Sequence, residues 1–140
     1  MSFTGNYSCN TLRSGLITGD IDFNTDTFYL ALYTNDATLN QNTTEYTSTG
    51  EVSGGDYDPG GKEVTATIGS QDSSNGSTVY VNFSSPSWSG QITARGALIY
   101  KVGANGAICV LDFGSDKISN TTFTVQMPAD GPTSSLIRLV

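Results

Sequence analysis

Asp112-Phe113-Gly114, within VLDFGSDK, is the triplet that holds magnesium in protein kinases. That chemistry also needs a phosphate-covering glycine loop, a strand lysine and a catalytic Asp followed by Asn, on a much larger bilobed chain. None of these accompanies the triplet, so it reads as a strand end running into a Gly-Ser-Asp turn. DIDFNTD places Asp20, Asp22, Asn24 and Asp26 at alternate positions, as a calcium loop does. The EF-hand pattern fails at its glycine and glutamate positions, which here are Thr25 and Ala31, leaving only an irregular oxygen site near Asp20–Asp26. Glu45, Glu51 and Glu63 are the only glutamates, and a hydrolytic carboxylate pair would come from them. The chain has no histidine, which removes the usual activator of a serine or cysteine nucleophile and the commonest zinc ligand. Cys9 and Cys109 read as free, buried thiols. No catalytic residue, cofactor or metal is expected, and the protein is not expected to be an enzyme.

The elements that would position these residues are strands. Ser, Thr and Asn make up 46 of 140 residues and charged residues only 14%, the usage of short strands joined by polar turns. TFYLALY (27–33) is apolar on both faces; VTATI (64–68) alternates with Val64, Ala66 and Ile68 inward; TVYVNF (78–83) repeats the pattern through Val79, Val81 and Phe83. Strands at about 92–100 and 107–113 flank Asn105-Gly106, a hairpin signal. Thr122–Met127 and the closing LIRLV complete the set, with Ile137 and Leu139 inward. In NYSCNTLRSGLITGD, Cys9, Leu12 and Leu16 share one helical face, with Ser8 as cap and Gly19 as stop. The expected fold is all-β: an antiparallel sandwich or Greek-key barrel of about seven strands with one short N-terminal helix. Residues 1–26 form an N-terminal segment with the helix and 27–140 the β-sandwich, a single domain overall.

Charge limits the partners. The net charge is −7, and between Ser14 and Gly61 eight acids meet no Lys or Arg, which argues against nucleic acid. No apolar run is long enough for a transmembrane helix, so no membrane partner is expected, and the start lacks a signal-peptide pattern. The stretch from Thr34 to Lys62 is long for a structureless loop, which suggests ordering by a partner or by function. Leu12, Leu16, Tyr46, Tyr57 and Trp88 are the candidate interface residues: two from the helix and three loop aromatics able to anchor a contact or tuck back over the core.

FYLALYTNDATL, TEYTSTGEVSGGDYDPGGKEV, ARGALIYKVGANGAICVLDFGSDK and FTVQMPADGP, in that order, resemble the small β-rich virion structural proteins of tailed bacteriophages, notably short-tailed phages of cyanobacteria and marine bacteria. The resemblance spans about residues 3 to 139 and rests on the ordered combination of ALYT, TGEVSG, ARGALIY and LDFG. It implies a place in a virion assembled in the host cytoplasm and brings no catalytic residues. Within that family, a capsid decoration (cement) protein is the expected role. Its partners would be the major capsid protein or other virion proteins, with a homo-oligomer, a trimer by preference. The alternative is a tail or neck component binding a host surface glycan through Tyr57 and Trp88.

Overall fold

The apolar run Phe28–Tyr33 has no polar face to turn to water, and the fold covers it on both sides. The computed structural model describes residues 3–70, 78–131 and 134–139; Val140, read as the last strand residue, lies outside these. Strand β1 (Tyr7–Ser8) leads into helix α1 (Asn10–Thr18), followed by β2 (Phe28–Tyr33), β3 (Lys62–Val64), β4 (Ala66–Ser70) and β5 (Val79–Phe83). The chain continues through β6 (Ser87–Ser89), β7 (Ile92–Lys101), β8 (Ala107–Ser119), β9 (Thr122–Thr124) and β10 (Ile137–Leu139). A five-stranded sheet runs β1-β8-β7-β2-β3, a three-stranded one β10-β5-β4 and a two-stranded one β6-β9. Every pairing is antiparallel. The protein is therefore all-β with a short N-terminal helix.

Period two in β2 and β7 divides the interior into two cores. Phe28, Leu30 and Leu32, with Ala97 and Ile99, face a larger core holding Val81, Phe83, Trp88 and Ile92. Ala31, Tyr33, Leu98 and Tyr100 face a second core closed by Phe3, Ala37 and Leu39. Burial at roughly 25 cal/mol per Å² of apolar surface makes these two layers the main source of stability. Cys9 belongs to the second core and Cys109 to the first, and both are free thiols. The β7–β8 hairpin turns at Asn105 (φ 59°), and Lys101 N–H donates to the Gly106 carbonyl at 2.7 Å.

Four local expectations are corrected. The strands number ten among the described residues, not about seven, partly because the chain changes sheets at Thr65: β3 lies in the large sheet and β4 in the three-stranded one. Ile68, Val79 and Leu139, read as inward, are 48%, 45% and 55% exposed, and they wall one surface hollow beside Ile21 and Phe23. Gly114 does not end a strand. β8 continues to Ser119, and its register with β7 jumps from Gly96↔Asp112 to Ala94↔Lys117, so 113–116 form a bulge that Gly114 (φ 85°) permits. Helix α1 begins after Cys9, not at a Ser8 cap, because Ser8 is already committed to β1; it ends at Gly19 as expected.

Candidate contact site: a clasped loop and an edge groove

Glu51 organises the long loop between β2 and β3. Thr34 N–H donates to the Gly50 carbonyl at 2.8 Å and Val52 N–H to that of Leu32 at 3.0 Å, so residues 50–52 extend the sheet beside β2. This leaves the Glu51 carboxylate half-buried with no ion-pair partner among the described residues, and three donors compensate. The Tyr46 hydroxyl donates to Oε1 at 2.5 Å, while the Tyr57 hydroxyl (2.5 Å) and Gly60 N–H (2.8 Å) donate to Oε2. The Tyr57 oxygen also accepts from the buried Leu32 N–H at 2.9 Å. Tyr33 and Tyr100 fasten the loop from the sheet side, donating to the carbonyls of Thr47 and Gly60 at 2.7 Å each. Tyr46 stacks on Tyr100 with ring centroids 5.0 Å apart.

The clasp keeps its phenols neutral. Burial first, and Glu51 second, through its charge at Tyr33 and its hydrogen bond at Tyr57, raise both tyrosines far above the ordinary value. Burial and then the Glu51 charge push Tyr100 up to about 12. Burial likewise raises the Cys9 thiol to about 11, against the pull of Arg13, and lifts Cys109 further. All keep their protons at neutral pH, and the tyrosine hydroxyls donate them in the hydrogen bonds above. Glu45 and Glu63 are exposed, while the lone pairs of Glu51 are taken up by its own loop.

The other sequence candidates are also accounted for by local partners. Asp112 forms a partly buried ion pair with Arg95; Asp112 N–H donates to Asn6 Oδ1 at 2.6 Å, and the Arg95 guanidinium lies over the Phe3 ring. Partial burial would raise the Asp112 pKa, but the Arg95 hydrogen bond and the Gly114 N–H outweigh it and hold it below the usual value. In DIDFNTD, Asp26 Oδ2 accepts from Asp22 N–H, and Asp22 Oδ1 accepts from Asn24 N–H. The cation there is Lys101, 3.0 Å from Asp26 and donating to the Asp20 carbonyl at 2.6 Å. Among the described residues, no cluster of three or more His, Cys, Asp or Glu is placed to hold a metal.

Of the five interface candidates, Leu12, Tyr57 and Trp88 are buried at 2%, 7% and 1% exposure, and Leu16 and Tyr46 are half-buried. Their burial has physical causes. Tyr57 is drawn in by its hydroxyl partners, and Trp88 packs on Tyr57 at 5.6 Å under the Lys62 ammonium. Tyr57 and Trp88, the latter in β6 rather than in a loop, thus close the molecule's own core.

The open surface lies at the opposite edge of the large sheet. Between α1, β1, β8 and β10 runs a groove of about 780 Å³, walled by Leu12, Leu16, Leu111, Ile137 and Leu139. Arg13 and Arg138 also line it, and no acid does among the described residues. An adjoining hollow of about 330 Å³ is walled by Ile21, Phe23, Ile68, Val79 and Val81. Alternation in the sequence could not reveal this surface, since Ile68, Val79 and Leu139 follow the same pattern as fully buried residues. No family model, curated protein or solved structure matches the chain.

Proposed function

We propose that this chain is a non-enzymatic virion structural protein of a tailed bacteriophage, acting as a capsid decoration protein that braces the head through contacts with the major capsid protein and with further copies of itself. The observation that carries this reading is the apolar edge groove, where Leu139 on the wall is 55% exposed, an uncovered apolar surface of the kind that protein contacts bury. Two further features support it. The groups with strongly raised pKa values are tyrosines and thiols held in their protonated form, unsuited to act as bases or nucleophiles at neutral pH. The sequence resemblance runs through the clasp itself, since TGEVSG contains Glu51 and ARGALIY contains Tyr100. The glycan-binding alternative rested on Tyr57 and Trp88, and both rings are inside the core.

The test is copy number. Gel densitometry of purified particles is expected to show many copies, in a fixed ratio to the major capsid subunit. A few copies per particle, in the range of a neck or tail ring, would replace the decoration reading with the tail one. Absence from particles would end both.

A further inference from the structure

The second core comes to the surface in a row of tyrosines. Tyr46 stacks on Tyr100 and Tyr100 on Tyr29, with ring centroids 5.0 and 6.0 Å apart and planes 24° and 26° from parallel. Tyr100 is the buried middle ring, bonded to the Gly60 carbonyl, while the outer rings of Tyr29 and Tyr46 are partly open to solvent. Three exposed acids border the row. Glu63 is directly opposite Tyr29 in the β2–β3 register, so both side chains leave the same face of the sheet; Glu45 precedes Tyr46, and Asp58 lies two residues before Gly60. None of the three acids makes an ion pair among the described residues. The bases nearest in the sheet are engaged elsewhere: Lys62 lies over Trp88 in the first core, and Lys101 is held by Asp26. The residues outside the description include no Lys or Arg. The row is thus an aromatic surface with an uncompensated negative border.

We propose that this tyrosine row docks a basic protein surface, with an arginine side chain of the partner laid against the ring face of Tyr29 turned away from Tyr100 and its guanidinium edge bonded to Glu63. Arginine is the side chain that fits both groups at once, because its planar guanidinium stacks on an aromatic face while its N–H fork meets a carboxylate. A lysine brings a point charge without that fork. A neutral sugar would stack on the ring but leave three carboxylates without a counter-charge. The platform is fixed before docking, since Tyr29 is paired on one side to β3 and on the other to β7, and a preorganised surface loses little conformational freedom on binding. The row lies toward the β3 edge of the large sheet and the apolar groove at its β1 edge, so the two contacts do not compete. This goes beyond the reading above, because it concerns a different surface and the purified chain with no particle present.

The test is fluorescence anisotropy of a labelled peptide of alternating arginine and glycine, titrated with the full chain. Lysine–glycine and serine–glycine peptides and neutral oligosaccharides are titrated in parallel. The arginine peptide is expected to bind more tightly than the lysine one, the serine peptide not at all, and affinity should fall with salt. Tyr29→Leu and Glu63→Gln should each weaken arginine binding by about threefold or more. Asp116→Asn, which removes the same charge from the exposed part of β8 outside the row, should leave it unchanged. Glu63→Gln keeps the test decisive should Tyr29→Leu unsettle β2, and circular dichroism and melting confirm each fold. Equal losses in all three variants would show attraction to the chain's overall negative charge and overturn the site. Equal affinity for arginine and lysine peptides, no binding of either, or binding of a neutral oligosaccharide in their place would also overturn it. A chain that meets every expectation yet is absent from particles overturns only the virion assignment.

Discussion

Tyr57→Phe removes one oxygen from the centre of the loop clasp. That oxygen donates to the Glu51 carboxylate and accepts from the Leu32 N–H, and Leu32 is fully buried. A hydrogen bond to a charged group contributes roughly 1.5–3 kcal/mol and a stranded buried donor costs about 1–3 kcal/mol. Glu51 keeps Tyr46 and Gly60 N–H, so the expected net loss at pH 7 is about 3 kcal/mol. In urea this lowers the midpoint by about 1.5 M with an unchanged slope, and it lowers the melting temperature by roughly 10 °C. The same variant changes the alkaline limb. Tyrosines whose folded pKa is raised contribute stability that is complete below the unfolded value near 10 and lost above it, because the unfolded chain then sheds protons that the folded chain keeps. Tyr33 and Tyr57 each steepen the fall by about 1.4 kcal/mol per pH unit, and the variant should lose one of these two increments. Tyr29→Phe is the control, since its hydroxyl makes no hydrogen bond among the described residues. A loss below about 1 kcal/mol at pH 7, or one no larger than the control's, refutes the clasp as the anchor of the loop.

Gly61→Ala is expected to prevent stable folding, because φ is 81° and an added Cβ would fall 1.8 Å from the Leu30 carbonyl oxygen; a soluble variant melting within a few degrees of wild type would contradict the placement of β3. Asp112→Asn leaves Arg95 without its counter-charge and should cost about 2–4 kcal/mol at pH 7. Because the Asp112 pKa is depressed on folding, its contribution is present above the usual carboxylate value and lost as pH falls, so the variant's melting temperature should drop less than wild type's between neutral and acid pH. Cys9 and Cys109 should resist a thiol reagent in the native protein at mildly alkaline pH and both react after unfolding; rapid native labelling would show that one of the two cores is open.

Most strands were legible in the sequence because their alternation is local. Phe28–Tyr33, Val79–Phe83 and the Asn105-Gly106 hairpin follow from period two and from one turn signal. The order of the loop between β2 and β3 was not legible, because it depends on Tyr46 and Tyr57 meeting Glu51 while Tyr33 and Tyr100 hold the loop's carbonyls, a constellation with no fixed spacing. The bulge at Gly114 was read as a turn because glycine in the left-handed region serves both. The break at Thr65 was hidden inside a clean alternation, since consecutive residues in two different sheets keep the same period. The groove escaped for a related reason: hydropathy marks an apolar side chain, and only the placement of β10 beside α1 leaves it uncovered.

The double coverage of β2 bears on synthesis. FYLALY leaves the ribosome long before β7, the neighbour that takes up all six of its residues, which starts at Ile92. A nascent chain therefore carries an apolar strand with one edge unpaired until Lys101 has emerged, the kind of segment that recruits chaperones or aggregates. The acids on either side, from Asp20 to Asp26 and from Asp36 to Asp58, act as its gatekeepers during that interval.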